Sequence, residues 1–496
     1  MRIFFVFIFS VIIFTACSPG PAPDEAKAVK PGAVTFISSD YDLIHAWNWA
    51  KETALSYAHN DDPVGPWYEA ALPGREAFCM RDVSHQATGG AVLGLDEHNK
   101  NMLFRFAENI SESKDWCSYW EINKDNMPAE VDYRNDKDFW YNLPANFDVV
   151  DACFRMFLWT GDSAYVKDPV FVNFYEKSLN EYVDRWDLRA DRVISRKRIM
   201  NLPEGASPEN HHYYDKRGIP GYHEGAGGKM QVGIDLLAAQ YAANNWYHYR
   251  LHSNSESSAW LDEANKIDSI IQNIFWDPEK KEFKIIMYED GSFDYTVGPG
   301  QDFSHSLLHF NALDDMEMIN SILDRYSRNK DDYIIELASH LPDIFFRHGR
   351  PEDGIYMLKH LTDSNTHRRE YPENPFSVVG AFITGLMGVT ADAPGNFIST
   401  FSGLEDPDAW VMVTDLPVLG KQIDLAHKGR HTSVLDNHSP DTIYWNPHLE
   451  GILDEWYIND ELSDFSGQVT DFYGIAVSSW YLAVPPHSIA SVSAFP

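Results

Sequence analysis

Apolar residues recur at helical spacing along most of the chain as far as about residue 390. Positions i, i+3, i+4 and i+7 lie on one face of a helix, so this spacing predicts helices that bury one side. We therefore predict a mainly α domain of about a dozen helices over residues 36–390. The stretches with this pattern are Asp40 to Ala58, His85 to Ile110, Asn146 to Trp159, Val170 to Trp186, Lys229 to His252, Trp260 to Phe275, Ser304 to His309 and onward, Met316 to Tyr326, Tyr333 to Phe346, Gly354 to Leu361 and Phe376 to Met387.

After residue 390 the apolar pattern changes to alternate positions, which is typical of strands with one buried face. Three stretches show it: Trp410–Val413, Gln422–His427 and His431–Leu435. Turn-forming residues, including Lys428-Gly429, separate them. The sequence thus predicts a small antiparallel β-domain over residues 391–496.

The first residues indicate export. An apolar run from Ile3 to Phe14 precedes Thr15-Ala16-Cys17. The run is shorter than the roughly 20 residues that span a bilayer, so it predicts a signal peptide over residues 1–16. A cysteine after small residues resembles a bacterial lipoprotein box, which implies acylation of Cys17 and an anchor in the cell envelope, at the outer membrane. Residues 17–35 would then be a flexible tether, and a plainly secreted protein is the alternative.

The net charge of −34 argues against nucleic-acid binding, which needs clustered Lys and Arg. The 15 Trp, 25 Tyr and 29 Phe suit a protein that stacks aromatic rings on sugars, although a large aromatic core would use them equally well. The other cysteines, Cys79, Cys117 and Cys153, have no CxxC spacing. A structural zinc site is therefore not indicated, and one disulfide plus a free thiol remains open.

Two sequence blocks resemble the six-hairpin, (α/α)6-barrel glycosidase superfamily, which includes trehalase-like, rhamnosidase-like and unsaturated-uronyl hydrolase families. One is Tyr371–Glu373 running into Phe376–Gly388, and the other is Gly74–Gln86. The resemblance implies an (α/α)6-barrel catalytic domain over residues 36–390 and an activity on sugars. It also implies a substrate-binding acid where the second block enters a helix.

That second block contains Arg81, Asp82 and His85 within five residues. Arg81 and His85 are an i, i+4 pair if the helix has begun, so a cation, an acid and an imidazole would share one end of it. We predict Asp82 and His85 as catalytic and Arg81 as substrate-binding. A simple helix N-terminus capped by Asp82 or Ser84 is the alternative.

The first block follows a dense run of charged residues. His367, Arg368, Arg369, Glu370 and Glu373 precede an apolar helix. Guanidinium groups bind carboxylate or sulfate oxygens through two parallel hydrogen bonds. We predict Arg368 and Arg369 as substrate-binding, and His367, Glu370 and Glu373 as catalytic. The alternative is a solvated charged loop.

A third group lies in a long loop ending at a helix. We predict His211, Tyr213 and His223 as substrate-binding and Glu224 as a further catalytic acid, because histidine and tyrosine suit proton transfer. The spacing of the histidines with Glu224 matches no standard zinc pattern, and we expect no metal and no cofactor. Farther upstream, Trp140 and Asn142 are predicted to form part of a sugar subsite.

The residues leave the reaction open. A glycoside hydrolase would use Asp82 or Glu224 as acid and Glu373 or Glu370 as base. A lyase or dehydratase acting on a uronic acid would need an arginine against the carboxylate and a His or Tyr to transfer protons, and the chain is rich in both. A non-catalytic glycan-binding lipoprotein is the third possibility.

The predicted substrate is an acidic oligosaccharide from cell-wall polysaccharide, uronate-containing or sulfated. A chain with a net charge of −34 repels anions at long range, so local arginines would have to hold the acidic group. Of the three functions, the hydrolase is the first prediction.

Overall fold

The computed structural model describes residues 30–197, 202–224, 229–251, 258–463 and 467–495. The predicted signal peptide, Cys17 and most of the predicted tether lie outside these residues. Within the described ranges, no helix is both long enough and apolar enough to cross a membrane.

The helices are named in chain order. They are α1 (Tyr41–Ser56), α2 (Met80–Val92), α3 (Asp96–Glu108), α4 (Ala145–Thr160), α5 (Ala164–Lys167), α6 (Pro169–Leu179), α7 (Glu181–Arg185), α8 (Ile234–Trp246), α9 (Ala259–Ile270), α10 (His305–His309), α11 (Met316–Arg328), α12 (Ile335–Ala338), α13 (Leu341–Arg347), α14 (Pro351–Thr362) and α15 (Glu373–Ala381). Single π-helical turns extend α8, α9 and α15 at their C-terminal ends.

Helices α2, α4, α8, α10, α13 and α15 form a closed ring, in which each contacts the next and α15 returns to α2. Other helices pack outside it: α1 against α15, α3 against α2, α9 against α8 and α14 against α13. The ring helix α4 is buried on nearly all sides. The surface helix α11 instead buries Ile319, Ile322, Leu323 and Tyr326, at positions i, i+3, i+4 and i+7.

Local chemistry sets several helix starts and one close contact. The side chains of Asp40, Asp168 and Asp315 accept backbone N–H groups at the first turns of α1, α6 and α11. Where α2 meets α15, a Cβ added at Gly89 would lie 2.0 Å from the carbonyl oxygen of Phe376. The two ring helices therefore approach this closely only because residue 89 has no side chain.

The strands are β1 (Thr35–Ser38), β2 (Ala58–His59), β3 (Trp67–Tyr68), β4 (Ala77–Cys79), β5 (Glu121–Asn123), β6 (Tyr133–Asn135), β7 (Asp138–Phe139), β8 (Tyr141–Asn142), β9 (Arg217–Ile219), β10 (Met230–Gly233), β11 (Trp276–Asp277), β12 (Glu282–Phe283), β13 (Ile286–Tyr288), β14 (Phe293–Asp294), β15 (Val389–Asp392), β16 (Phe397–Phe401), β17 (Trp410–Val418), β18 (Lys421–Lys428), β19 (Thr432–Asn437), β20 (Ile443–Glu450), β21 (Trp456–Ile458), β22 (Glu461–Ser463), β23 (Gln468–Phe472), β24 (Ile475–Ser479), β25 (Leu482–Val484) and β26 (Ser488–Ser493). Strands β2 to β14 make short pairs and one three-stranded sheet in the connections between helices.

The C-terminal part contains two larger sheets. One has the order β1-β17-β18-β19-β26-β21-β22, and the other has the order β15-β16-β20-β24-β23 with β25 paired to β20. The three predicted strands correspond to β17, β18 and β19, which pair antiparallel, except that His431 precedes β19. Two features differ from the prediction: β16 pairs parallel with β20, and β1 precedes all the helices yet pairs with β17. The predicted boundary at residue 36 therefore falls inside a strand of the C-terminal sheet.

Four predicted helices differ from the structure, and one of them, Tyr333 to Phe346, is divided into α12 and α13. The stretch from His85 to Ile110 is two helices, because Gly94 adopts φ 73° between α2 and α3. The stretch from Val170 to Trp186 is also divided, into α6 and α7. The residues from Lys229 to Gly233 are not helical, because β10 occupies this position and α8 begins only at Ile234.

The two parts contact each other at one end of the ring. The indole N–H of Trp159, near the C-terminal end of α4, donates to the carbonyl of Pro417 at 3.0 Å. Nε2 of His427 lies 3.1 Å from the carbonyl oxygen of Met387, which follows the π-helical turn after α15. The β-domain thus covers the C-terminal ends of these helices, while their N-terminal ends lie at the opposite end of the ring. Cys79, Cys117 and Cys153 are buried free thiols, so the disulfide that the sequence left open does not form among them.

Candidate active site

The first two turns of α2 present three predicted site residues. Strand β4 leads directly into this helix, and Arg81, Asp82 and His85 follow within six residues. Asp82 is 2% exposed, and its Oδ1 accepts a hydrogen bond of 2.7 Å from the hydroxyl of Tyr371. Burial raises the pKa of Asp82 to about 6, with Arg81 and Tyr371 opposing the rise and the negative charge of Glu373 adding to it. Such a carboxyl can hold a proton near neutral pH, as a general acid must.

The guanidinium of Arg81 is bordered by aromatic rings. Its Cζ lies 5.8 Å from the ring centroid of Trp120 and 5.4 Å from that of Tyr222. Its nearest carboxylate oxygen belongs to Glu224, at 3.8 Å from Nη1. No described residue accepts a hydrogen bond from this guanidinium. Its N–H groups thus have no acceptor in the part of the chain that the structure describes, and they can donate to a ligand.

More carboxyl groups lie around Arg81 and Asp82. Burial raises the pKa of Glu224, against the positive charge of Arg81. Burial also raises the pKa of Glu121 to about 9, and the neighbouring Asp132 adds to the effect. The guanidinium of Arg75 bridges Glu121 and Asp132, at 3.1 Å from the first carboxyl and 3.3 Å from the second. Several carboxyl groups here thus favour the protonated form more than a carboxyl in water does.

The first turns of α4 and α8 contribute two further acids. Tyr222 donates its hydroxyl to Asp148 at 2.7 Å and its backbone N–H to Asp235. Burial raises the pKa of Asp235 to about 7, and it raises the pKa of Asp148 well above its usual range. These acids fix the position of Tyr222, whose ring faces Arg81.

Glu373, the first residue of α15, lies deeper in the ring. Its Oε1 is 2.7 Å from Nδ1 of His85 and 3.2 Å from Nε2 of His340. The rings of His305 and His309 lie beside that of His340, at centroid distances of 5.3 and 5.0 Å. Glu373 and His85, predicted from segments 288 residues apart, are thus in direct contact.

The charged run before α15 lies at the surface. Arg368 is ion-paired with Glu336 at 2.6 Å, and Arg369 with Glu370 at 2.9 Å. The side chains of His367, Arg368 and Glu370 are exposed. Both arginines are therefore already paired with a carboxylate of the protein. Glu370 lies at the surface, apart from the buried acids.

Two residues of the third group have structural partners. Nδ1 of His211 lies 2.6 Å from Oδ1 of Asn210, and the hydroxyl of Tyr213 donates to the carbonyl of Val131. His223 is half-buried, and burial lowers its pKa. Part of this loop, residues 225–228, lies outside the described residues. Within the described residues, His211, His223 and Glu224 do not converge as metal ligands.

The predicted subsite residues differ in their surroundings. The ring of Trp140 lies 5.1 Å from Nζ of Lys216, and its indole N–H has no acceptor among the described residues. Asn142 is fully buried in β8, and neither atom of its amide is hydrogen-bonded to a described residue. Trp140 can still pack against a sugar ring, whereas Asn142 could contact one only if the strand moved.

The sequence interpretation missed His340 and His309. Each is a single histidine beside an apolar helix, and such a residue is more often a core histidine with satisfied hydrogen bonds than a ligand. His305 likewise begins a short helix and was not predicted as a site residue. The signal that could have identified them is that His305 and His340 stand at the starts of consecutive ring helices, α10 and α13, with His309 four residues after His305.

No protein-family model and no curated protein sequence matches this chain. Solved structures do share its fold. The α-L-rhamnosidase from Dictyoglumus thermophilum aligns over 94% of this chain and 50% of its own, with a TM-score of 0.59 and 12% identity. The GH78 family rhamnosidase of Bacillus sp. GL1 aligns over 81% of this chain and 40% of its own, with a TM-score of 0.54 and 13% identity. The chain thus spans half or less of the length of these enzymes.

Proposed function

We propose that this protein is a carbohydrate-active enzyme on an (α/α)6 barrel, and that it hydrolyses glycosidic bonds. The closed ring of six helices with helices packed outside it, and the fold shared with two rhamnosidases, support the barrel. The observation that carries the reaction is buried Asp82, with its raised pKa, beside Arg81, Glu224 and two aromatic rings.

In the proposed mechanism Asp82 is the general acid. Its buried carboxyl holds the proton that the leaving glycosidic oxygen needs, and Tyr371 fixes its orientation. Glu224 is the general base that activates water. It is the more exposed of the two, and Arg81 stabilises its ionised form, while a pKa raised toward the working pH suits a base.

Glu373 and Glu370 are weaker candidates for the base. Glu370 is exposed and paired with Arg369. Glu373 is 1% exposed and in contact with two histidines. The carboxylate of Glu224 lies 3.8 Å from Nη1 of Arg81, the residue next to Asp82 in the chain, and this supports Glu224 as the base.

We further propose that the substrate is an acidic oligosaccharide, uronate-containing or sulfated, and that Arg81 holds the acidic group. Arg368 and Arg369 are engaged with Glu336 and Glu370. Arg81 has no hydrogen-bond acceptor among the described residues. Its guanidinium group can donate two parallel hydrogen bonds to a carboxylate or sulfate.

A glycan screen read by mass spectrometry tests the reaction. Hydrolysis adds the mass of one water on cleavage. A product that absorbs as an unsaturated uronate, formed without added water, would indicate elimination instead. Loss of a general acid lowers the rate by about 10²- to 10⁴-fold, so Asp82→Asn should fall in this range. Asp363→Asn, at an exposed surface position, is the control.

Paired arginine variants test the substrate class. Arg81→Ala should weaken kcat/KM for an acidic oligosaccharide by about 10- to 150-fold, because a hydrogen bond to a charged group contributes about 1.5–3 kcal/mol. Arg369→Ala should change it little. If Arg81→Ala reduced kcat/KM on an uncharged analogue by the same factor, the protein could still be a hydrolase. An acidic substrate held by Arg81 would then be contradicted.

A further inference from the structure

Four histidines cluster inside the ring, and two of them contact one buried carboxylate. His85 comes from α2, His305 and His309 from α10, and His340 from the residue before α13. The ring centroids of His85 and His340 are 4.5 Å apart, and those of His85 and His309 are 5.3 Å apart. The proposed hydrolysis uses none of them.

The carboxylate at the centre is almost completely enclosed. Glu373 is 1% exposed, and within the described residues its only ion-pair partners are His85 and His340. A buried carboxylate needs a positive charge close by, and a cation bound between the two imidazoles would supply one.

The imidazole nitrogens give a second, independent indication. Nε2 of His85 and Nε2 of His309 are both buried, and neither has a hydrogen-bond partner among the described residues. The side chain of His85 is only 5% exposed. Imidazole nitrogens are ligands that divalent transition metals prefer, and these two lack a protein partner in the described part of the chain.

The spacing of the ligand atoms suits such an ion. Metal bonds of about 2.1 Å place neighbouring ligand atoms about 3.4 Å apart in a tetrahedral site. Oε1 of Glu373 lies 2.7 Å from Nδ1 of His85 and 3.2 Å from Nε2 of His340, so the first contact would have to widen around an ion. One ligand atom from each of the three residues lies within 4.8 Å of the others. Two imidazoles with one carboxylate leave at least one coordination position open.

We propose that His85, His340 and Glu373 bind a divalent first-row transition-metal ion, with His309 beside the open position. A cavity of about 230 Å³ lies along the axis of the ring and is lined by His85, His309 and His340. This cavity can supply a water ligand to the ion. The ion would also link α2 to α15, the pair of helices that closes the ring.

A second group of possible ligands offers an internal comparison. Asp424, Asp436 and His438 also converge, but on the β-domain and with His438 exposed. Nε2 of His438 lies 3.1 Å from Asp424, which accounts for the contact as an ordinary surface ion pair. His438→Ala is therefore the matched control for histidine loss at a candidate site.

Metal binding can be measured without a substrate. The full chain is stripped with EDTA and titrated with Zn²⁺ by calorimetry, and its metal content is then determined by mass spectrometry. We expect one tightly bound ion per chain in the wild type and in His438→Ala. Glu373→Gln and His340→Asn should each bind Zn²⁺ at least about 100-fold more weakly. Zn²⁺ should also raise the melting temperature of the wild type, because it binds only the folded chain.

Substitution with Co²⁺, read together with circular dichroism, distinguishes loss of the metal site from failure of a variant to fold. Co²⁺ in a site of nitrogen and oxygen ligands gives visible absorption bands, which should appear in the wild type and be absent from both site variants whose circular dichroism is unchanged. A wild type that binds neither Zn²⁺, Fe²⁺ nor Co²⁺ would overturn the proposal. So would binding that persists in both site variants, or that is lost only in His438→Ala. These readouts stand whether or not the protein hydrolyses a glycan.

Discussion

Replacing Tyr371 by phenylalanine removes one hydroxyl from the proposed acid and leaves the packing in place. The Tyr371 hydroxyl donates to Asp82 at 2.7 Å, and the Tyr371 ring also packs under the guanidinium of Arg368, with Cζ 4.9 Å from the centroid. Phenylalanine retains the ring and this contact. The change therefore tests the hydrogen bond to Asp82 more directly than a change of Asp82 itself.

The direction and size of the effect follow from the charge on Asp82. The hydroxyl stabilises the ionised carboxylate, so its loss must raise the pKa of Asp82 above the present value of about 6. A hydrogen bond to a charged group contributes about 1.5–3 kcal/mol, and one pKa unit corresponds to 1.36 kcal/mol. We expect a rise of about one to two units. A general acid works while protonated, so activity should fall as the pH rises through this pKa.

The assay is kcat/KM measured against pH. In the wild type the alkaline limb should lie near pH 6, and in Tyr371→Phe it should move to between about pH 7 and 8. Tyr288→Phe is the control, because Tyr288 donates to Asp294 at the same 2.7 Å but in an exposed strand pair. An alkaline limb that stays in place in Tyr371→Phe, or moves toward lower pH, would refute the assignment of Asp82 as the acid.

Three further predictions concern stability and anchoring. Gly89→Ala should destabilise the protein by about 3 kcal/mol in chemical denaturation, because its Cβ would meet the backbone of Phe376, whereas Gly380→Ala, where the nearest atom lies 3.4 Å away, should cost much less. Burial lowers the pKa of His427 to about 4, so the unfolded chain binds more protons below its own pKa of about 6.5, and stability should fall as the pH drops from there toward 4. Melting curves should show a smaller loss over this window in His427→Gln. Cys17→Ser should release the protein from membranes in fractionation, and a variant that stays membrane-bound and labelled by palmitate would contradict acylation at Cys17.

The sequence predicted those parts of the fold whose signal is local. The stripe of Ile319, Ile322 and Tyr326 identifies α11, and alternating apolar residues identify β17 to β19. It could not predict that β1 pairs with β17, because the two strands are about 380 residues apart in the chain and neither pattern identifies its partner. It also joined α2 to α3, because apolar residues continue across Gly94 and hide the change of direction.

The candidate site also has a part that local sequence predicts and a part that it does not. Arg81, Asp82 and His85 are neighbours on one helix, so their residue types were sufficient to group them. Tyr371 and His340 reach that helix from distant segments, and nothing in their local sequence shows this.

The charged run before α15 shows why residue type alone misleads. Arg368 and Arg81 have the same guanidinium, but Arg368 is exposed and already bound to Glu336, whereas Arg81 lies beside two aromatic rings with no acceptor among the described residues. Glu370 and Glu373 are three residues apart, yet one is exposed and the other is 1% exposed. A helix start separates them: Tyr371 and Pro372 direct the chain inward, and Glu373 becomes the first residue of a ring helix. The free energy of burying a charged group depends on what surrounds it, so the residues that carry chemistry are those whose partners the fold leaves incomplete.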